Sequence, residues 1–483
     1  MQKPDAVVVG AGPNGLAAAL TLARAGLAVE VLEGAGTAGG GCRTEELTLP
    51  GFLHDVCSAV HPMAAASPFF RATDLAGRGV RLLSPPVAFA HPLDGGRAAG
   101  VTTSVIDTAG RLGADGPAYM RLLSPLVRDA EAIIPGVLAP LLRVPQYPLA
   151  MARFGIYALL PADRLVGRFE TPEGRALFGG VAAHAMLPLS SALTAGFGLV
   201  MLILAHAVGW PVVEGGSARL VDALVAELLD AGGGVRTGEW ITDLGDVGGA
   251  RATMLDISPK GLLKIGGARI SGRSRRALDG FRYGPGICKL DWALSGPVPW
   301  DAELCRRTAT VHVGGTFEEV ARSEADCTAG RHCERPFCIV VQPCVVDPAR
   351  APAGRHTLWG YCHVPSGSDV DMTERIEAQI ERFAPGFRDL VLARTMRTAT
   401  EVEQENPNYV GGAIDAGAGT LRQTLFRPTP QWNPYRTPIG GVYLCSASTP
   451  PGGGVHGMCG HGAARTALRD LKVTPATEFV ASR

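Results

Sequence analysis

Two glycine-rich segments, more than 400 residues apart, have the residue types and spacing to hold one large cofactor. The first, GAGPNG from Gly10 to Gly15, is a G-x-G-x-x-G. Gly10 permits a tight turn after a strand, Gly12 lets backbone approach a pyrophosphate, and Gly15 allows close helix–strand packing. Pro13 and Asn14 then open a helix whose free N–H groups and positive dipole end face the phosphates. Glu33 closes the following strand; its carboxylate suits a ribose 2′-hydroxyl and would repel a 2′-phosphate. TAGGGCRTEEL follows, and Gly40, Gly41 and Arg43 make a second anion-friendly loop, which suits the longer reach of FAD. At the other end, Gly440 to Leu468 reads GGVYLCSASTPPGGGVHGMCGHGAARTAL. Its prolines and glycines introduce a helix expected to start near Val455. Gly453, Gly454, Val455 and Met458 are the candidates for a flat ring, with the helix dipole aimed at the ring's anionic edge.

Acid–base chemistry has weaker candidates. HDVCSAVHP supplies His54, Asp55 and His61, and histidine titrates near neutral pH. His184, His206 and His363 stand alone, which favours a core role. Glu405 and Tyr409, in EQENPNYVGG, suit either a pocket or a solvated loop. Cys327, Cys333, Cys338 and Cys344 are spaced by six, five and six residues, not the short pairs of a zinc site, so no metal is expected. GPGICK and GAGTLR break off after G-x-G, so no second dinucleotide fingerprint for NADPH is present.

Elements that position these residues follow from the pattern. DAVVVGAG, NGLAAALTLARAG and LAVEVLE read strand, helix, strand, a βαβ unit of about 30 residues. Residues 215–244 read helix, turn, strand, and RATMLDISP reads as a further buried strand. From residue 283 to about 419 strands dominate, with one helix near 373–384. The fold class expected is α/β: a Rossmann-type FAD-binding domain built from discontinuous segments, with an inserted α+β substrate domain of mixed sheet and helices. The division expected is 1–60, 206–290 and 420–475 for the FAD-binding domain, and 61–205 and 291–419 for the substrate domain.

Hydrophobic residues make up 46% and charged residues 19%, a globular balance. Lys+Arg and Asp+Glu both number 45, and without a basic run nucleic acid is not an expected partner. The first motif begins within ten residues of Met1, so a cytoplasmic chain with reduced thiols is expected. LTAGFGLVMLILAHAVGW, Leu193 to Trp210, is at the edge of transmembrane length, but lacks basic flanks. A buried or substrate-lining helix is expected there, with at most peripheral membrane contact. Monomer and homodimer both stay open.

Taken together, GAGPNGL, GGG-x-RT, HDVCSAVHP, GGSARLVDAL, YGPG-x-x-K-x-DWAL, NPNYVGG and CSASTPPGGGVHGMCG resemble the phytoene desaturase-like branch of FAD-dependent oxidoreductases. The branch includes carotenoid desaturases, carotenoid isomerases and retinol saturase-like proteins, and the resemblance spans essentially the whole chain. It implies FAD, a nucleotide domain beside a mixed-sheet substrate domain, and a lipophilic small-molecule substrate. The chain departs from the family pattern at His461, where Tyr is usual, and at Ala413, where an acid is usual. The expected activity is hydride transfer from substrate carbon to flavin N5, with His54, Asp55 or His61 as base. The alternatives are a flavin-dependent non-redox isomerase or saturase of a polyene-like substrate, and an FAD-containing binding protein without turnover.

Overall fold

Val7 and Val9 face one side of the first strand, Ala6 and Val8 the other, and all four are buried. A strand apolar on both faces belongs inside a parallel sheet covered by helices. The computed structural model, which describes residues 3–474, has this arrangement. Five strands run in the order Val442–Leu444, Ala252–Leu255, Ala6–Val9, Val29–Glu33, Gly234–Thr237, all parallel. Helices Pro13–Ala23, Ala218–Asp230 and Met458–Asp470 cover one face; Pro259–Gly266 covers the other. Strands from both ends of the chain therefore share one sheet.

The first and last helices touch backbone to backbone. A Cβ on Gly460 would lie 1.8 Å from the Asn14 carbonyl oxygen, so only glycine fits there. Asn14 and Gly460 both sit in the first turn of their helices, so the two positive helix ends converge on one place.

A second sheet has seven strands in the order Val391–Arg397, Gly286–Leu294, His356–Val364, Cys338–Val341, Thr308–Val313, Val87–Leu93, Arg97–Val101. All neighbours are antiparallel except Thr308–Val313 with Val87–Leu93. Its outer face is apolar, Cys288, Leu290, Trp292, Val340 and Cys362 packing with Ile376 and Ile380 of the Thr373–Phe383 helix. The inner face joins the largest core cluster, against helices Pro172–Ala182, Thr194–Val208 and Phe317–Thr328.

Two sequence expectations, a domain boundary and a helix count, meet a different structure. The boundary expected at 290 falls inside the Gly286–Leu294 strand, all of which lies in the second sheet. Residue 475, the expected outer limit, lies outside the described residues. The single helix expected between 283 and 419 is joined by Phe317–Thr328 and Ala399–Glu405, each begun by a capping box, Thr316/Glu319 and Thr398/Glu401. That T-x-x-E signal stood in the sequence. Leu193–Trp210 forms the helix Thr194–Val208, buried on most sides. Gly196 and Gly198 let it press on Ala158 and Ala182, which accounts for its apolar character all round. Among the described residues no helix is long and apolar enough to cross a membrane.

Candidate functional site

At the first glycine turn, the Gly10 N–H donates to the Leu32 carbonyl at 2.8 Å, and Gly10 has φ +100°. A Cβ on Gly15 would lie 2.0 Å from the Gly10 carbonyl oxygen. The helix starts at Pro13 with no side-chain cap on Gly12. The Glu33 carboxylate accepts the Ala11 N–H at 2.6 Å and the Ala35 N–H at 2.8 Å. Two backbone donors thus fix it at the mouth of the turn, and a carboxylate with about four acceptor sites keeps room for a ribose hydroxyl.

Asp256, which sequence reasoning passed over, joins this turn. It follows the Ala252–Leu255 strand as Glu33 closes its own, and that position was its signal. Its carboxylate accepts the Gly15 N–H at 2.8 Å. Burial pushes its pKa up to about 7, against the pull of that N–H and helped by the Glu33 charge. Asn408, from NPNYVGG, donates to the Asp256 carbonyl at 3.0 Å and accepts the Ser258 N–H at 2.8 Å.

The second glycine loop lies on the first. The Gly39 N–H donates to the Ala11 carbonyl at 2.9 Å, and a Cβ on Gly40 would stand 3.3 Å from the Gly12 Cα. A Cβ on Gly41 would meet the Tyr409 hydroxyl at 2.2 Å. Arg43 pairs with Glu405 and lies 3.5 Å from Glu45. Its expected anion contact is thus met within the protein by carboxylates, while its Nε stays buried without a partner. Gly40, Arg43, Cys57, Ile287, Lys289 and Tyr409 are among the walls of a narrow cleft between the two sheets.

The C-terminal glycines are also close-packed. A Cβ on Gly452, Gly453 or Gly454 would meet Arg427 Nη1 at 2.4 Å, the Asp415 carbonyl oxygen at 2.7 Å and Met63 Sδ at 2.4 Å respectively. The helix begins at Met458 rather than near Val455, because Gly457 at φ +67° turns the chain first. His456, not singled out from sequence, caps it. Its Nε2 contacts the Gly452 carbonyl at 3.1 Å and its Nδ1 accepts the Met458 N–H at 3.0 Å. Both contacts require the neutral Nε2–H tautomer, and burial pushes the pKa down to about 4. The departures from the family pattern also find places. His461 Nδ1 is 3.1 Å from the Thr21 hydroxyl, at the interface of the first and last helices. Two residues beyond Ala413, Asp415 packs its backbone against Gly453 and turns its carboxylate toward Gly284.

His54, Asp55 and His61 are brought into the joint between the sheets, apart from the cleft walls. Asp55 accepts from Arg350 Nη2 at 2.7 Å, the Ser217 N–H at 2.8 Å and the Thr44 hydroxyl at 2.9 Å. Burial pushes its pKa up, but the Arg350 guanidinium outweighs this and leaves it below the ordinary value. With its oxygens taken by three donors, Asp55 is an ionised anchor. His54 Nε2 is 2.8 Å from the Thr48 hydroxyl, and burial, then Lys289 and Arg350, push its pKa down to about 3. Burial likewise pushes His61 down to about 4.

Polar side chains instead gather on the inner face of the second sheet. Lys289 and Asp291, both buried, form an ion pair, with Lys289 Nζ 5.7 Å from the centre of the Trp359 ring. Burial pulls the Lys289 pKa down, opposed by the Asp291 charge. Cross-strand pairing sets Trp359 opposite Asp291, Tyr361 opposite Lys289 and His363 opposite Ile287. Directly opposed residues point the same way, about 5 Å apart at Cβ. His184 Nε2 lies 3.0 Å from His312 Nε2, and His363 Nδ1 lies 2.9 Å from both Glu324 oxygens. The histidines isolated in sequence are therefore partnered in space. His206 pairs with the Tyr119 hydroxyl at 2.7 Å.

Known proteins resemble this arrangement. Residues 8–73 match the model of an NAD(P)-binding Rossmann-like domain. The chain is 26% identical to the rat (Rattus norvegicus) pyridine nucleotide-disulfide oxidoreductase domain-containing protein 2, over 97% of this chain and 94% of that protein. It is 27% identical to the phytoene dehydrogenase of Streptomyces griseus, over 93% and 92%. Among solved structures, an oxidoreductase from Methanosarcina mazei superposes with TM-score 0.66 at 16% identity, covering 96% and 99%. A putrescine oxidase double mutant superposes with TM-score 0.62 at 18% identity, covering 97% and 99%. The fold and site thus define an oxidoreductase with a Rossmann-like dinucleotide domain. More narrowly, the chain is similar over most of its length to a phytoene dehydrogenase.

Proposed function

We propose that the protein is an FAD-dependent dehydrogenase that desaturates a C–C bond, or oxidises a related bond, in an apolar small molecule. The observation carrying this reading is the convergence of two helix N-termini, the Gly10–Gly15 turn and Glu33 beside a sheet face bearing a buried lysine. The cradle fits a dinucleotide: the close-packed glycines admit no side chains, and the buried Asn14 Oδ1 and Arg43 Nε lack protein partners.

Gly10, Gly12, Gly15, Glu33 and the Gly40–Arg43 loop would hold the ADP half. Gly453, Gly454, Val455 and Met458 would border the ring. When bound, FAD supplies a two-electron hydride acceptor. The chain's own contribution is positioning and exclusion of water. Phe89, Phe337, Trp359 and Tyr361 make the inner sheet face aromatic, which favours an apolar substrate held in one orientation. Lys289 is a buried cation whose charge Asp291 balances, so it can oppose negative charge developing nearby.

Absorbance and mass analysis of the purified protein, followed by anaerobic mixing with a panel of terpenes and polyenes, tests this. Bound FAD that bleaches with one of them is the expected result. Product of unchanged mass, formed only with prereduced protein, would favour the isomerase. Bound FAD that no panel member bleaches, with one of them tightly retained, would favour the binding protein. A colourless protein that takes up no FAD would overturn the reading.

We also infer that an anionic lipid surface contacts residues 141–159. Leu142, Val144, Tyr147, Leu149, Ile156 and Leu159 are exposed there, Val144 at 93% and Leu149 at 83%. A cluster of large exposed apolar residues is a contact surface more often than an accident. Arg143 lies exposed among them, which complements acidic headgroups.

A further inference from the structure

His363 and Glu324 come from different elements, the His356–Val364 strand and the Phe317–Thr328 helix. Both are buried, at 4% and 1% exposure. Placing such a pair in an apolar core costs stability unless each polar atom is satisfied. Nδ1 is satisfied, bridging both Glu324 oxygens at 2.9 Å. Nε2 is not: it is buried and has no partner. An orphaned buried nitrogen on an otherwise anchored ring calls for a physical reason.

Its position supplies one. His363 stands opposite Ile287, a wall of the cleft, and shares its sheet face with Tyr361 and Lys289. The Tyr361 ring centre is 5.7 Å away and that of Phe337 6.0 Å. Asp415, packed against Gly453 of the C-terminal loop, is close enough for its charge to interact with His363. The histidine therefore shares its sheet face with residues that wall the cleft, anchored at Nδ1 by a carboxylate and unpaired at Nε2.

We propose that His363 is the proton acceptor of this site and that Glu324 is its positioning residue, holding the ring as the Nδ1–H tautomer with the Nε2 lone pair free. The proposal rests on the dehydrogenase reading above. In a desaturation the substrate loses a hydride, taken by FAD, and a proton from the neighbouring carbon. That proton bonds to Nε2, and the electron pair it leaves becomes the second bond of the alkene. The substrate is oxidised by two electrons, which leave FAD for an external acceptor of the quinone or dioxygen class. The Glu324 carboxylate then stabilises the imidazolium.

Other titratable groups face this histidine. They are Glu324 from the helix, His184 from the turn after Pro172–Ala182, Asp415 from the loop, and Tyr361 on its own strand. The test must separate His363 from them, and it needs no substrate. In nitrogen-15 NMR of the full chain, the signal lost in His363→Asn should be that of an Nδ1–H tautomer, and Glu324→Leu should turn it into a mixture. The reduction potential of the FAD-loaded protein should then be followed against pH. Two-electron reduction should take up one proton more in wild type than in His363→Asn.

A wild-type Nε2–H tautomer would overturn the proposal, and this needs no variant to fold. Loaded protein with the same proton uptake in wild type and His363→Asn would overturn it while leaving the flavoprotein reading intact. Protein that takes up no FAD would bring down both.

Discussion

The two sheets meet at one cleft but prepare their sides of it differently. The parallel sheet contributes backbone: glycine turns, helix N-termini and N–H groups fixed by Glu33 and Asp256. The mixed sheet contributes side chains: a lysine–aspartate pair, aromatic rings and histidines on alternate positions of neighbouring strands. Backbone recognition demands glycine at set intervals along one stretch of chain. Side-chain recognition demands only that residues share a face after folding. The first kind of site is written locally, and the second is dispersed over the chain.

Asp55 and Arg350 bolt the two regions together, so the largest effect is expected from breaking that bolt. Arg350→Met would leave a buried carboxylate without its cation, at a cost of about 3–5 kcal/mol. Urea denaturation should register this as a lower midpoint. A midpoint equal to wild type would mean that the regions are joined by something else.

Glu33→Ala attacks the parallel-sheet side alone. Losing a charged hydrogen bond to ribose is expected to cost about 1.5–3 kcal/mol, or roughly ten- to hundredfold in FAD retention. Fluorescence of flavin released on dialysis measures it. Unchanged retention would detach Glu33 from the cofactor.

Acid and base should act on the buried histidines and on Asp256 with opposite sign. Burial has pushed His54 to about 3 and His61, His91 and His456 to about 4, so the folded state binds fewer protons than the unfolded chain. Their contribution is fully present above the unfolded value, about 6.5, and is lost as pH falls toward 4. Asp256 is raised to about 7, so its unfavourable share grows as pH rises from about 4 to 7. Asp256→Asn keeps an acceptor for the Gly15 N–H. It should raise the thermal midpoint at pH 8 and make little difference near pH 4. A variant less stable than wild type at pH 8 would show that the ionised carboxylate is favourable there.

The smallest effect on stability belongs to the surface. Leu149→Gln should change stability by no more than about 0.5 kcal/mol. It should nevertheless lower co-sedimentation with vesicles containing phosphatidylglycerol, and equal sedimentation would remove residue 149 from the lipid contact.

Much of the architecture was legible before folding. The first βαβ unit, the strands at 234–237 and 252–255, the 373–383 helix and the C-terminal strand and helix follow from periodicity and turn residues. The capping boxes at Thr316 and Thr398 were equally local but were masked by the strand-rich composition around them. The proposed acid–base group was the least legible part. HDVCSAVHP concentrates chemically capable residues in nine positions, yet folding turns Asp55 into an anchor and buries its histidines beside it. Glu324 and His363 are 39 residues apart and have no spacing that marks them as partners.

By itself, the sequence determined the dinucleotide turn, the alternation of strand and helix, and the joining of the two chain ends. Each depends on backbone geometry, and glycine spacing, apolar periodicity and capping residues record that geometry in neighbouring positions. Only the tertiary structure decided that Asp256 enters the glycine turn, that Asp55 is locked to Arg350, and that Lys289, Tyr361 and His363 share one face. Those outcomes depend on strand order and cross-strand register. These are set by the burial of whole faces and leave no mark at any single place in the chain.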